Sequence, residues 1–277
     1  MKEIDKEQYL INKLTSKHIG DDAAVIGETL YSMDTFFEDV HFKRSWMNMA
    51  QIGKKAMLVN LSDAIAMNAQ PKYALVSVSL PKNIENKEID VLMKSLEYTA
   101  KSYGCEIIGG DTIGADKLHL CITIVSQSTY PLLRKGLQEG DLLAFTGALG
   151  QSKQDLERLM RGEKISSDSK FYEPKLRAEF IKKSRPYLHA GMDISDGLFC
   201  DANKLLDMNG YGFELLLDID PKMGLSGEEY EMLVGFSPKN LEIILAIAKE
   251  TDTAFTVFAK VVQNDERFFC ESHHFKN

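Results

Sequence analysis

The sequence predicts a mixed α/β protein organised in two units. Strand-like and helix-like segments alternate through the first half. The alternation restarts after residue 132 with a strand, a glycine turn and a helix. A hydrophobic content of 44% over 277 residues supplies one large core or two modest ones.

In the first unit, residues 1–132, "TLYSMDTFFEDVHF" begins as a strand and runs into acids. "WMNMAQIGKKAMLVNLSDAIAMNA" reads as a long, largely buried helix, and "KYALVSVSLP" alternates as a strand that stops at Pro81. Ile89, Leu92, Met93, Leu96, Ala100 and Tyr103 fall at helical spacing, with Gly104 as the stop. "CEIIGGDT" and "KLHLCITIVSQS" follow as strands. In the second unit, residues 133–277, "GLQEGDLLAFTGALGQSKQDLERLM" is a strand, a glycine turn and a helix, and polar residues 161–172 form a loop. "DISDGLFCDANKLLDMNG" is a turn entering a helix that Asn209-Gly210 closes. Ser237-Pro238 opens a helix through Leu241, Ile244, Leu245 and Ala248, and "AFTVFAKVV" alternates as a strand.

The formal net charge is -8, which disfavours a nucleic-acid or anionic-membrane binder. Cys105, Cys121, Cys200 and Cys270 show no CxxC spacing, so neither a zinc site nor a disulfide framework is expected. No apolar run reaches transmembrane length, and "MKEIDKEQYL" lacks a signal-peptide core. The expectation is a reduced, cytoplasmic protein.

The acids carry the chemistry. Asp21 and Asp22 in "HIGDDAAVI" press against an apolar run, where hydration is lost and a compensating charge is needed. Asp34, Asp63, Asp111, Asp193 and Asp196 are likewise flanked by apolar residues or glycine. Any one of them could be a helix cap or turn residue. Gathered together they would repel one another, by about 4 kcal/mol per pair at 4 Å and an effective dielectric near 20, unless cations intervene. An all-oxygen donor set without His or Cys clusters favours Mg²⁺, which usually shares a substrate phosphate. No P-loop or kinase catalytic loop is present. "TGALGQSKQDL" is either a phosphate cradle at a helix N-terminus or a tight strand-to-helix turn.

Taken in order, "GDDAAV", "MDTFFEDVHF", "LVNLSDAIAM", "IIGGDT", "GDLLAFTGALGQS", "MDISDGL" and "SGEEYEML" resemble the motif series of the thiamine-monophosphate kinases, of the aminoimidazole ribonucleotide synthetase superfamily. The resemblance spans about residues 18–235. It implies two α/β domains, with the N-terminal strands forming a barrel across a homodimer. It implies ATP and several Mg²⁺ ions, and γ-phosphoryl transfer to thiamine monophosphate. By position, Asp22, Ser32, Met33 (through its carbonyl), Asp34, Asp63, Asp111, Asp193 and Asp196 would hold metal. Tyr103, Gly110, Asp111, Arg134 and Ser195 would contact the nucleotide, and His41 and Glu228 the thiamine phosphate. Mg²⁺ would then supply the charge that Asp22 needs. From residue chemistry alone, Tyr103 could equally be core, His41 structural and Arg134 a solvated charge. A phosphate acceptor is already anionic at neutral pH, so no catalytic base is nominated and direct transfer without a phosphoenzyme is expected. The chain departs from the pattern at Glu229, where the family has Asp, at Asp39, where it has glycine, and at Ser272, where it has an aromatic residue over the thiamine ring. The alternatives are another ATP-using member of the superfamily or a silent ATP-binding scaffold.

Overall fold

The structure, a computed structural model, describes residues 6–270. Ser272 lies outside them. The elements run α1 (Lys6–Ile11), β1 (Ala24–Ile26), β2 (Thr29–Phe37), α2 (Met49–Ala66), β3 (Gln70–Pro81), α3 (Asn86–Ser102), β4 (Glu106–Ala115) and β5 (His119–Gln127). They continue with β6 (Leu142–Thr146), α4 (Gln151–Met160), α5 (Ala178–Ser184), β7 (Ala190–Asp193), α6 (Leu198–Asn209), β8 (Gly212–Leu215), α7 (Pro221–Gly224), β9 (Met232–Phe236), α8 (Leu241–Glu250) and β10 (Phe255–Val262).

Two five-stranded sheets organise these elements. The first has the order β1-β2-β5-β3-β4, the second β7-β9-β6-β10-β8. Both are open, not closed barrels. In the first sheet β3 pairs parallel to β4, which requires the α3 crossover, while the other pairs are antiparallel. Period-2 alternation sets what β2 presents. Leu30, Ser32 and Phe36 are buried, whereas Tyr31 and Met33 are exposed on the opposite face. Asp34 shares the face of Ser32, and its N–H donates to Asn60 Oδ1 of α2 at 2.9 Å. The second sheet is covered on both faces. Leu143, Phe145 and Leu233 pack toward α6, and Ala144, Val234 and Phe236 toward α5 and α8. Strand β9 is therefore a continuous apolar run.

Asp39 adopts φ 66, the left-handed region that glycine fills most easily and that Asp tolerates. Its carboxylate pairs with Lys117 at 2.6 Å. The Ser237-Pro238 opening is confirmed, but its first turn, Pro238–Asn240, is 3-10 and Ser237 makes no side-chain cap.

One expectation is corrected. Cys200 and Cys270 form a disulfide, 70 residues apart in sequence. Tertiary packing brings them together. Phe268 stacks on Phe213 and Phe199 at centroid distances of 3.9 and 4.6 Å, and its backbone N–H and carbonyl both pair with the Asn203 side chain. No local spacing could signal that pair. Among the described residues no helix is long and apolar enough to cross a membrane.

A buried ion-pair network ties β6, α5 and β9 together. Arg177 grips Glu231 with Nε and Nη2 at 2.6 and 2.7 Å, Thr146 Oγ1 donates at 2.7 Å and Lys170 stands at 3.1 Å. Burial pushes the Glu231 carboxyl up, but these donors and charges win and hold it below its ordinary range. Gly147 has no alternative here, because a Cβ would lie 1.9 Å from Glu231 Oε1. Breaking a buried pair strands a charge, so Arg177→Ala should lower stability by about 3 kcal/mol in urea titration. Because Glu231 is depressed on folding, the stability from this pair is full above about pH 4.5. It is lost as pH falls through the lowered value, so the difference between the variant and the parent should shrink in acid.

Candidate active site

Helix α2 builds the site from the first unit. It begins with a capping box, Asn48 Oδ1 accepting from Gln51 N–H and Gln51 Oε1 from Asn48 N–H. Most of its surface is buried, so its polar residues must find partners inside. Asn60 holds Asp34 as described and donates through Nδ2 to the Ala56 carbonyl at 2.8 Å. Ser62 Oγ donates to Asp193 Oδ2 at 2.5 Å, across to the end of β7. Lys55 is 1% exposed, and its Nζ meets Glu228 Oε2 at 2.6 Å.

Four predicted ligands come together beside this helix. Burial raises Asp63 well above the ordinary carboxylate range, and the charges of Asp34, Asp193 and Asp22 raise it further. Asp193 is raised in the same way by burial and by Asp22, against the Ser62 hydrogen bond. Asp22 has a side chain only 1% exposed. Its Oδ1 accepts from Arg134 Nε at 2.9 Å and Nη2 at 2.5 Å, while Oδ2 is buried without a hydrogen-bond partner. The charge compensating Asp22 in this structure is thus Arg134. Burial alone would lower the guanidinium, but Asp22 holds it protonated. Arg134 also donates its backbone N–H to Asp21 at 2.7 Å, so the acidic pair is one joint with residue 134.

Asp196 stands just beyond, paired with Lys204 Nζ, and its N–H donates to Asp201 Oδ2 at 3.0 Å. Lys204 also meets Asp201 Oδ1 at 3.0 Å, and burial pushes the Asp201 carboxyl up to about 6 against that pull. The loop 228–231 runs against 193–196: Glu228 N–H donates to the Ser195 carbonyl at 2.7 Å and Tyr230 N–H to Ile194 at 2.8 Å. Glu228 and Tyr230 adopt φ 55 and 51. Non-glycine residues there cost of order 1–3 kcal/mol and persist only where their surroundings fix them. Burial, then the charges of Glu228, Asp34, Asp193 and Asp63, push the Tyr230 hydroxyl well up, so Tyr230 lies within the electrostatic reach of these acids.

His41 accepts the Phe37 N–H at Nδ1, 3.0 Å away, and its ring lies 5.7 Å from that of Phe36. Lys55 Nζ lies 5.8 Å from the same Phe36 ring. His41 and Glu228 are therefore linked through Phe36 and Lys55. Three predicted residues are placed apart. Gly110 and Asp111 lie on the exposed edge strand β4, and Asp111 is not among the charges acting most strongly on Asp63 or Asp193. Tyr103 packs, half-buried, against the first core and near Glu173. The glycine turn before α4 is a strand-to-helix turn whose anion is internal: Gly150 and Ser152 N–H groups donate to Glu229 Oε1 at 2.7 and 3.3 Å. Sequence reading passed over Lys55, Asn60 and Ser62, and noted Glu229 only as a departure from the motif. Their partners are distant in the chain, and "GKK" looks like surface.

The acids fit a hard cation. All donors are oxygen, Asp22 keeps an unpartnered buried oxygen, and Asp63 and Asp193 are desolvated beside like charges. Among the described residues no three such groups close on one point at ligand spacing.

This arrangement, an open sheet packed on an acid-bearing helix, belongs to a recognised class. Residues 20–127 match the model of the AIR synthase related protein, N-terminal domain. Thiamine-monophosphate kinase of Aquifex aeolicus is 34% identical over 79% of this chain and 74% of its own, and that of Rhodopirellula baltica 32% over 82% and 78%. The solved structure of AaThiL complexed with AMPPCP and TMP superposes with a TM-score of 0.82 at 27% identity, covering 95% of this chain and 91% of that one. The chain belongs to the thiamine-monophosphate kinase family.

If Arg134 is the counter-charge of Asp22, Arg134→Met should destabilise the metal-free protein by about 3 kcal/mol. Adding Asp22→Asn should return much of that loss, because no buried charge is then left unpaired. Chemical denaturation of the two variants in chelator measures both.

Proposed function

We infer that this chain phosphorylates thiamine monophosphate with ATP, giving thiamine diphosphate and ADP. The observation that carries the reading is the convergence of Asp22, Asp34, Asp63 and Asp193 beside α2, in a chain whose relatives are thiamine-monophosphate kinases. The likeness to a relative bound to AMPPCP, an ATP analogue, and TMP supports both substrates.

In the reaction, an oxygen of the acceptor phosphate attacks the γ-phosphorus of ATP in line. The bond to the β,γ-bridging oxygen breaks and ADP leaves. The acceptor oxygen is already anionic near neutral pH, so no general base is required and none is assigned. The demand on the protein is positioning and charge balance. Asp22, Asp34, Asp63, Asp193 and Asp196 would hold Mg²⁺, with Ser32 and the Met33 carbonyl beside them and Asp111 from β4. When bound, the ions would neutralise the polyphosphate and the developing transition-state charge. Arg134 offsets part of the charge of Asp22, and Lys204 part of that of Asp196 and Asp201. Ser195, Gly110, Tyr103 and Arg134 are assigned to the nucleotide, and His41 and Glu228 to the thiamine phosphate.

We divide the chain into an N-terminal domain of residues 1–132 and a C-terminal domain of residues 133–277. We also assign a homodimer. Tyr31, Met33, Tyr73 and Leu75 leave the outer face of the first sheet apolar and exposed, and edge strand β4 exposes Ile108 and Ile113. An uncovered apolar face with an unpaired edge calls for a partner, and a second copy would close the strands into a barrel. Solution scattering at micromolar concentration should give the mass of two chains; a monomer would remove this assignment.

The test of function is formation of thiamine diphosphate from ATP and thiamine monophosphate. Absence of product, with transfer to another small acceptor, would overturn the reading. Asp63→Asn separates the metal site from a merely structural acid. It removes a desolvated charge, so the metal-free melting temperature should hold or rise. Stabilisation by Mg-ATP should vanish and turnover should fall severely. Near-normal turnover in this variant would count against the metal site.

A further inference from the structure

We propose that Lys55 is a positioning residue for the thiamine substrate, aiming the Glu228 carboxylate at the cationic thiazolium end of the molecule. The proposal rests on the functional reading above and adds a residue to it.

The ammonium of Lys55 is 1% exposed, yet it sits among the apolar side chains of the first core. A charge so placed must be compensated or it would destabilise the fold. Three groups meet it. Glu228 Oε2 lies 2.6 Å away, the Phe171 ring 4.0 Å from Nζ and the Phe36 ring 5.8 Å from it. Cation–π contacts of this kind gain strength when desolvated. The two aromatic faces fix the ammonium laterally and leave one direction for a charged partner.

Glu228 is less buried, with 30% of its side chain exposed. A carboxylate has two oxygens and can take a second partner while one is held. Its backbone is also held, at φ 55, by the bond from its N–H to the Ser195 carbonyl. Lys55 therefore fixes the last free torsions of a residue whose backbone is already fixed. A flexible, half-exposed Glu would otherwise lose rotamer entropy on binding substrate. Thiamine monophosphate joins a permanent thiazolium cation to a phosphate. Its phosphate must face the acid cluster, where the cations gather, so its ring must lie away from them. Glu228 and His41 are assigned to that end of the substrate, and both are tied to one ring, His41 at 5.7 Å from Phe36 and Lys55, the partner of Glu228, at 5.8 Å from it. A fixed carboxylate there favours a cationic acceptor over a neutral one. Lys55 also lies seven residues from Ser62, so both point from one side of α2. The helix that sets Asp193 through Ser62 sets Glu228 through Lys55.

The experiment compares wild type, Lys55→Met, Lys55→Arg, Glu228→Gln and the double variant Lys55→Met/Glu228→Gln. Methionine keeps the apolar stem between the two rings and removes the charge. Wild-type turnover of thiamine monophosphate is measured first, and its absence would sink the functional reading, not the role of Lys55. Given an active wild type, Lys55→Met should raise KM for thiamine monophosphate about tenfold while KM for ATP stays within about twofold. Its melting temperature should stay close to wild type. Lys55→Arg should recover most of the loss. The double variant should be no weaker than Glu228→Gln alone, because Lys55 acts only through that carboxylate. Equal losses for both substrates, an additive double variant, or a lowered melting temperature with unchanged KM would overturn the proposal. Should Lys55→Met fail to fold, Lys55→Gln takes its place in each comparison. If neither neutral variant folds, Lys55 serves the fold and the proposal falls.

Discussion

The site depends on one helix that is buried nearly all round and still carries polar side chains. A helix of this kind cannot leave Lys55, Asn60 and Ser62 without partners. Each reaches a different part of the chain: Lys55 to Glu228, Asn60 to the backbone of Asp34, Ser62 to Asp193. Apolar packing brings the two sheets to this helix. The polar contacts decide their register against it, because a shift would break all three at once. The acids are thereby placed by residues that are not themselves acids.

Charge balance sets the second constraint. Burial pushes up Asp22, Asp63 and Asp193; Asp34, Asp193 and Asp22 push Asp63 further, Asp22 pushes Asp193, and Arg134 pulls Asp22 back. Three cations inside the chain keep the cluster viable. Arg134 holds Asp22, Lys204 holds Asp196 and Asp201, and Lys55 holds Glu228 at the far end. Lys55 is fully desolvated and Arg134 largely so, so the arrangement contributes little net stability. What it contributes is geometry. Asp63 and Asp193 are the acids left with like charges as their chief electrostatic neighbours, and there a divalent cation would relieve repulsion. The answer to why "GDDAAV" tolerates two acids against apolar residues is thus internal, a salt bridge to a residue more than a hundred positions away.

Long periodic segments were readable from the sequence: α2, α3, β3, β5, β6 and β10 stand where their patterns place them. So do the turns at Gly104 and Gly210, both left-handed. The second sheet was harder. β7 and β8 have four residues each, too few to show a period, and β9 is buried on both faces and does not alternate. The acid motifs were legible because carboxylates beside apolar residues are unusual. The residues that organise them were not. Lys55 sits in "GKK", which reads as a solvated pair, and its partner is 173 positions on. The Cys200–Cys270 bond had the same difficulty. Sequence shows which residues need a partner, but not which distant residue supplies it.

The glycine turn before α4 makes the same point with the opposite outcome. A helix N-terminus opened by glycines attracts an anion. Here the anion is Glu229, fully buried, which takes the Gly150 and Ser152 N–H groups, the Ser226 hydroxyl and the Lys170 ammonium. Glu229 reaches back to α4 while the backbone N–H groups of its neighbours 228 and 230 bond to the Ser195 and Ile194 carbonyls. Both neighbours have positive φ, and such a backbone is held only if the residue between them is anchored. The electrostatics of the α4 N-terminus are therefore satisfied within the chain. They fasten the strained loop that carries Glu228 against residues 194–195.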